Sequence, residues 1–303
     1  MKKMYGVNTP ISCPMLKNGE VDYKGLTDLC EYLIEKGVHG LYPNGSTGEM
    51  CYLTLEERKK ILECTLEAAK GRVNVFCMVG ANTTQDTIEL ARHAENAGAD
   101  GIGVVTPYYF KLDETELVQY FVDVASSVSP DFPVYLYGIP QLAVNDITPV
   151  MAEKIVQHCP NVIGVKYSYP DVPRMLKFMD VNNGKFSVLT GPDDLFYTIL
   201  ASGGDGVISG NSNVIPEHYV AIYDAYKSGD HRLAAKIQAK VNRLLVHISG
   251  PNHMARYKVG LHHRGIIGCA AMRRPLRELT AEEEQDYLNA IEAMEYLDPT
   301  KQL

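Results

Sequence analysis

The chain has 303 residues, 46% hydrophobic and 22% charged, with a net charge of −8 at pH 7, a globular composition that supplies one large core or two modest ones. That acidic balance, with no basic stripe interleaved with aromatics, argues against nucleic acid as a partner, and no run of about 18 apolar residues is available to span a membrane. Seven scattered cysteines without a C-x-x-C pair read as reduced thiols of a cytoplasmic protein, H-E-x-x-H is absent so no metal site is expected, and "MKKMYGVNTP" lacks the apolar segment of a secretory signal.

Strand-like apolar runs lie near 5–11, 39–43, 73–80, 101–106, 132–138, 162–167, 186–190 and 206–210. Helical segments separate them and announce their own starts. Thr54-x-x-Glu57 is a capping box, Thr148-Pro149 a cap followed by proline at the first turn, and Pro216 opens a further helix. Three stretches repeat one pattern: "EKGVHGLYPNG" at 35–45, "NAGADGIGVVTP" at 96–107 and "SGGDGVISGN" at 202–211. Each reads as a helix end, a glycine C-cap in G-x-[HD]-G, and a short apolar strand buried on both faces. Eight such strand-helix units in about 225 residues predict a (β/α)8 TIM barrel rather than an open doubly wound sheet. No G-x-G-x-x-G follows the first strand, which also speaks against the open sheet. Residues 1–225 are the expected catalytic barrel. Residues 226–303, helical at 230–248, 252–264 and 281–296, are an appended C-terminal helical region.

Active sites of this fold sit at the C-terminal ends of the strands, and that rule selects the candidates. The second strand runs into "PNGSTGEM", where Gly45 and Gly48 permit a tight turn and the amides and hydroxyls of Ser46 and Thr47 offer a cradle for a small carboxylate. The fourth ends in "TPYYFK", with Tyr108 and Tyr109 at the rim, and the fifth is "FPVYLYGIP", with Tyr135 and Tyr137 on one face. Taken singly, tyrosines in strands are core filler with a satisfied hydroxyl. The sixth, "NVIGVKYSYPD", places Lys166 in an apolar run, sharing its face with the small residues Gly164 and Ser168, so that this face is expected to open into a cavity. The seventh ends in "TGPDDLF", bringing Asp193 and Asp194 to a helix start, where carboxylates also serve as ordinary caps.

A buried lysine among tyrosines has a chemical use. A free lysine, with a pKa of about 10.4, is neutral in only about one molecule in 2,500 at pH 7, and desolvation raises that fraction. The neutral amine forms an imine with a ketone, the protonated imine draws electrons from the adjacent carbon, and a phenol moves the protons.

Together, "GSTGE", "TPYY", "YGIP" and "GVKYS", in this order, resemble the dihydrodipicolinate synthase / N-acetylneuraminate lyase family of class I aldolases, over nearly the whole chain down to "RRPLREL" at 273–279. The resemblance implies that Lys166 carries pyruvate as a Schiff base, with no other cofactor. It implies that Tyr137 relays protons, with the Ser46 hydroxyl in the same relay, while Ser46 and Thr47 hold the pyruvate carboxylate. Tyr109 matches a tyrosine offered to a neighbouring subunit, which implies a homotetramer or dimer of dimers. Gly48, Ser168, Gly191 and Ile208 match substrate-lining positions. So do Asp193, Asp194, Gly210 and Leu142, which fall where the family's branches differ.

Synthases of the family usually carry an arginine at the place of Leu142, whereas sialic acid lyases commonly have leucine there and favour Ser-Thr over Thr-Thr in the second-strand motif. Gly138 stands where asparagine is usual, Val144 where glycine is usual, and Gly210 where sialic acid lyases place serine. The resemblance therefore implies cleavage or formation of a 2-keto-3-deoxy sugar acid or an N-acetylneuraminate-like acid. A dihydrodipicolinate synthase working on aspartate semialdehyde is the alternative, and an idle barrel acting as a ligand sensor is a third.

Overall fold

The computed structural model describes residues 1–250 and 252–303. Its strands are β1 (Gly6–Pro10), β2 (Gly40–Tyr42), β3 (Asn74–Met78), β4 (Gly101–Val105), β5 (Val134–Gly138), β6 (Val162–Tyr167), β7 (Ser187–Thr190) and β8 (Gly206–Ile208). They pair in sequence order as a closed barrel, and every pairing described is parallel. All eight expected strands are present. The expected helix starts are present too: Thr54 and Glu57 close a reciprocal capping box, Thr148 caps the helix Pro149–His158, and Pro216 opens Pro216–Lys227.

The repeated G-x-[HD]-G has a specific structural use. Its first glycines, Gly37, Gly98 and Gly203, take φ of 83°, 87° and 102° just past a helix end, a conformation that costs a residue with a Cβ. Its third residue then turns back to a neighbouring strand. Val7 N–H donates to His39 Nδ1 at 3.2 Å, Val75 N–H to an Asp100 carboxylate oxygen at 2.9 Å, and Val188 N–H to an Asp205 oxygen at 3.1 Å. The backbone N–H groups of the same three residues donate to the carbonyls of those same valines. One side chain and one amide thus set the strand register three times over, at the strand starts, where this fold keeps stability rather than catalysis.

Contacts divide the chain into two compact units. The first comprises residues 1–5 and 74–208, and the second residues 6–73 and 209–303. The first is built on β3 to β8. Its interior is aromatic: the Phe76 and Tyr135 rings meet edge to face at 5.5 Å, and Tyr167 packs on Phe178 at 5.5 Å. The second holds β1 and β2 with the helices His231–Ile248, His253–His263 and Ala281–Glu292. Lys240, on the first of these helices, is buried and its Nζ donates to the carbonyls of Glu295, Asp298 and Lys301, fastening the end of the chain. Among the described residues no helix is long and apolar enough to cross a membrane.

Candidate active site

β6 is buried along its whole length, and only a residue with a reason to be there puts a cation in such a strand. Lys166 is 5% exposed. Its register partner on β5 is Tyr137, and Nζ lies 4.0 Å from the centroid of that ring. Parallel pairing at the strand ends therefore brings amine and phenol together. Tyr135, two residues earlier on the same face, is tied down differently. Its hydroxyl lies 3.1 Å from Ser187 Oγ and accepts from Met4 N–H at 3.0 Å, and burial pushes its pKa well up. Tyr135 is the core phenol, and Tyr137 is the one beside the amine.

The space expected at Gly164 is not open. A Cβ there would stand 2.4 Å from the Tyr135 ring and 2.5 Å from the Ser187 carbonyl oxygen, so the missing side chain makes room for Tyr135. The small residue serves packing, and alternation along one strand could not reveal which neighbour fills the gap. Ser168 behaves in the same way toward Gly191, where a Cβ would meet the Ser168 hydroxyl at 1.9 Å. Gly138 is likewise explained: a Cβ there would lie 2.8 Å from the Tyr167 ring. That ring is held because its hydroxyl bonds Asp146 at 3.2 Å and accepts from Arg174 at 2.8 Å, while Arg174 also pairs with Asp146. Asparagine at 138 would have to displace this cluster. Val144, where glycine was expected, sits at φ 66°, a strained value for a β-branched residue.

Of the other candidates of this unit, Tyr109 and Leu142 lie toward solvent. Tyr109 is 79% exposed at φ 83°, its ring edge to face with Phe110 at 5.0 Å. Leu142 is 64% exposed on the short helix Pro140–Ala143. Asp193 and Asp194 form the first turn of a 3₁₀ segment, Asp193–Leu195, that follows Pro192 past the end of β7. Ile208, at the end of β8, is buried.

In the second unit, the turn after β2 is a 3₁₀ segment, Ser46–Gly48. Gly48 is dictated by the approach of the turn to the end of β1: a Cβ there would stand 3.0 Å from the Ile11 carbonyl oxygen. Ser46 and Thr47 are half-buried. Glu49 follows at φ 62°, and its fully buried carboxylate pairs with Lys258 and accepts from Arg273 N–H at 3.1 Å. Lys258, 0% exposed, also donates to the Ala271 carbonyl at 2.8 Å. Arg273 forks onto Glu57 with two bonds of 2.8 Å and donates to Gly19 and Tyr52 carbonyls. The Arg273 hydrogen bonds hold the Glu57 carboxyl below its ordinary pKa. Sequence reading missed Lys258 and Tyr257 beside it, because a Tyr-Lys pair inside an ordinary helical pattern carries no local signal.

Known proteins of similar sequence and fold define the class. The chain is 33% identical over 264 residues to 4-hydroxy-tetrahydrodipicolinate synthase of Methanosphaerula palustris, covering 87% of this chain and 89% of the relative. It is 34% identical over 269 residues to N-acetylneuraminate lyase of Mediterraneibacter gnavus, covering 88% and 85%. The crystal structure of YagE from Escherichia coli K12 in complex with pyruvate superposes with a TM-score of 0.91 at 31% identity, covering 96% of this chain and 99% of that one. YagE is provisionally named a 2-dehydro-3-deoxy-D-gluconate aldolase. The protein is an enzyme of the class I aldolase and lyase type. The sequence profile of the Dihydrodipicolinate synthetase family matches residues 3–294, and the chain belongs to that family, whose chemistry runs through a lysine–pyruvate Schiff base without a metal.

Proposed function

We propose that this enzyme cleaves, or forms by condensation, a 2-keto-3-deoxy sugar acid or N-acetylneuraminate-like acid through a Schiff base on Lys166. The observation that carries the reading is a buried lysine whose Nζ lies against the ring of its strand neighbour Tyr137. In the cleavage direction the Lys166 amine adds to the C2 carbonyl, water leaves, and a protonated imine remains. Tyr137, having given its own proton to the imine nitrogen, takes the proton of the C4 hydroxyl. The C3–C4 bond breaks, the aldehyde departs, and its electron pair becomes the enamine on Lys166. Tyr137 returns the proton to C3, with the Ser46 hydroxyl in the relay, and hydrolysis releases pyruvate. Ser46 and Thr47 hold the pyruvate carboxylate, and Gly48, Ser168, Gly191 and Ile208 line the substrate. Asp193 and Asp194, in the turn that follows β7, receive the polyol hydroxyls. With this reading go a cytoplasmic location and a homotetramer or dimer of dimers, to which Tyr109 offers its exposed ring.

The synthase reading is favoured by the relative from Methanosphaerula palustris and disfavoured by Leu142, an apolar side chain where a carboxylate grip is needed. Borohydride reduction with pyruvate should add a lactate-like mass to the peptide containing Lys166, and an adduct elsewhere, or none, overturns the mechanism. A panel of aldehydes then decides the branch. Polyhydroxylated or acetamido sugars should exceed aspartate semialdehyde by about a hundredfold, the worth of a lost charge-assisted contact. Robust condensation with aspartate semialdehyde would establish the synthase reading instead.

A further inference from the structure

The helix His253–His263 addresses the turn after β2 at two points. One is the Lys258–Glu49 pair. The other is marked by Gly210, just past β8. A Cβ built there would lie 3.1 Å from both Cε2 and the hydroxyl oxygen of Tyr257 and 3.2 Å from the Thr47 hydroxyl oxygen. Two hydroxyls thus converge on the space that a side chain at 210 would occupy, and a larger residue would force one or both aside. Tyr257 is 4% exposed, and its ring meets that of His253 edge to face at 5.6 Å. The next residue, Lys258, fastens the helix to Glu49, two residues beyond Thr47, so the phenol is presented on a rigid support rather than on a loop.

We propose that Tyr257 is a third hydroxyl of the keto-acid cradle: its O–H donates to the carboxylate held at Thr47, and residue 210 is glycine because that hydroxyl needs the space. This rests on the role given to Thr47 above and extends it to a residue of the C-terminal helices. An O–H donated to a carboxylate is a charge-assisted bond, so losing it weakens binding of the keto acid while leaving the imine chemistry intact.

The test measures borohydride trapping at Lys166 against pyruvate concentration in the unsubstituted enzyme, Tyr257→Phe and Gly210→Ala. The pyruvate concentration for half-maximal trapping should rise about 10- to 100-fold in Tyr257→Phe, with the trapping rate at saturation within about threefold. Gly210→Ala, whose methyl crowds the same hydroxyl, should shift half-saturation in the same direction. An unchanged half-saturation in a folded Tyr257→Phe overturns the proposal. So does a saturated rate that falls as far as half-saturation rises, since that is the mark of a merely structural tyrosine. Should Tyr257→Phe fail to fold, Gly210→Ala decides by the same two numbers. Absence of trapping at Lys166 in the unsubstituted enzyme would instead refute the Schiff-base reading, which keeps the two failures apart.

Discussion

Lys166 in the first unit and Lys258 in the second are both buried, at 5% and 0% exposure, yet their surroundings make opposite demands. Lys258 lies against the Glu49 carboxylate and the Ala271 carbonyl. Lys166 lies against the ring of Tyr137. A buried ion pair commits a lysine to its charge, because either partner left alone is an uncompensated charge in a poor solvent. An aromatic face is a far weaker commitment. Burial of a lysine is therefore not in itself a sign of catalysis; what it is buried against separates a brace from a candidate nucleophile.

The comparison breaks most visibly in the assay of chemistry. Lys166→Ala should abolish both borohydride trapping and turnover. Tyr137→Phe should lower turnover about 10²- to 10⁴-fold, the usual contribution of a positioned acid–base group, while trapping slows but still reaches completion. Near-normal turnover of Tyr137→Phe would show that the relay lies elsewhere, with Tyr109 next to be tried, since the Tyr135 hydroxyl is already engaged by Ser187 and Met4.

Stability should sort the same two lysines in the reverse order. Lys258→Met or Glu49→Gln alone should cost about 3–5 kcal/mol in urea unfolding, and the apolar double replacement of Lys258 and Glu49 much less. Lys166→Met, which sets an apolar side chain of similar length against the Tyr137 ring, should stay within about 1 kcal/mol. Equal losses in Lys166→Met and Lys258→Met would mean that Lys166, too, braces the fold.

A smaller effect sharpens the picture of the second unit through pH. His218 is buried, and neither ring nitrogen has a hydrogen-bond partner among the described residues. Burial pushes its pKa down from 6.5 to about 4, with Lys240 and Arg264 pressing the same way and Glu217 and Asp298 opposing. In the unfolded chain this histidine takes up its proton near 6.5, while in the folded protein it waits until about 4. Its contribution to stability is therefore whole above pH 6.5 and is lost as the pH falls toward 4, by about 3 kcal/mol. Urea unfolding at pH 7, 5.5 and 4 should show that decline, and His218→Leu should flatten it. An equal decline in His218→Leu would place the sensitivity in other groups.

Much of the fold was legible because its determinants are local. Strand and helix alternate with their own caps, and G-x-[HD]-G carries its C-cap glycine within four residues. Lys166 stood out for the same reason, since a cation in a strand buried on both faces contradicts its neighbours, whereas Tyr137 was marked only by the family resemblance of "YGIP". The meaning of the small residues was less accessible. Gly164 suggested a cavity and proved to be the seat of the Tyr135 ring, and Gly138 yields to Tyr167, itself fixed by Asp146 and Arg174.

The sequence by itself determined the eight strands, their parallel order and the residues at their ends, because periodicity, caps and turn chemistry act over a few residues at a time. Only the tertiary structure decided what those residues stand against. It set Nζ of Lys166 on the Tyr137 ring, gave the Glu49 carboxylate to Lys258, a residue over 200 positions away, and brought Tyr257 to the space left by Gly210. Such pairings are set by close packing among side chains distant in the chain, where a void or an unpaired charge is costly, and no local pattern records which distant side chain will fill the place.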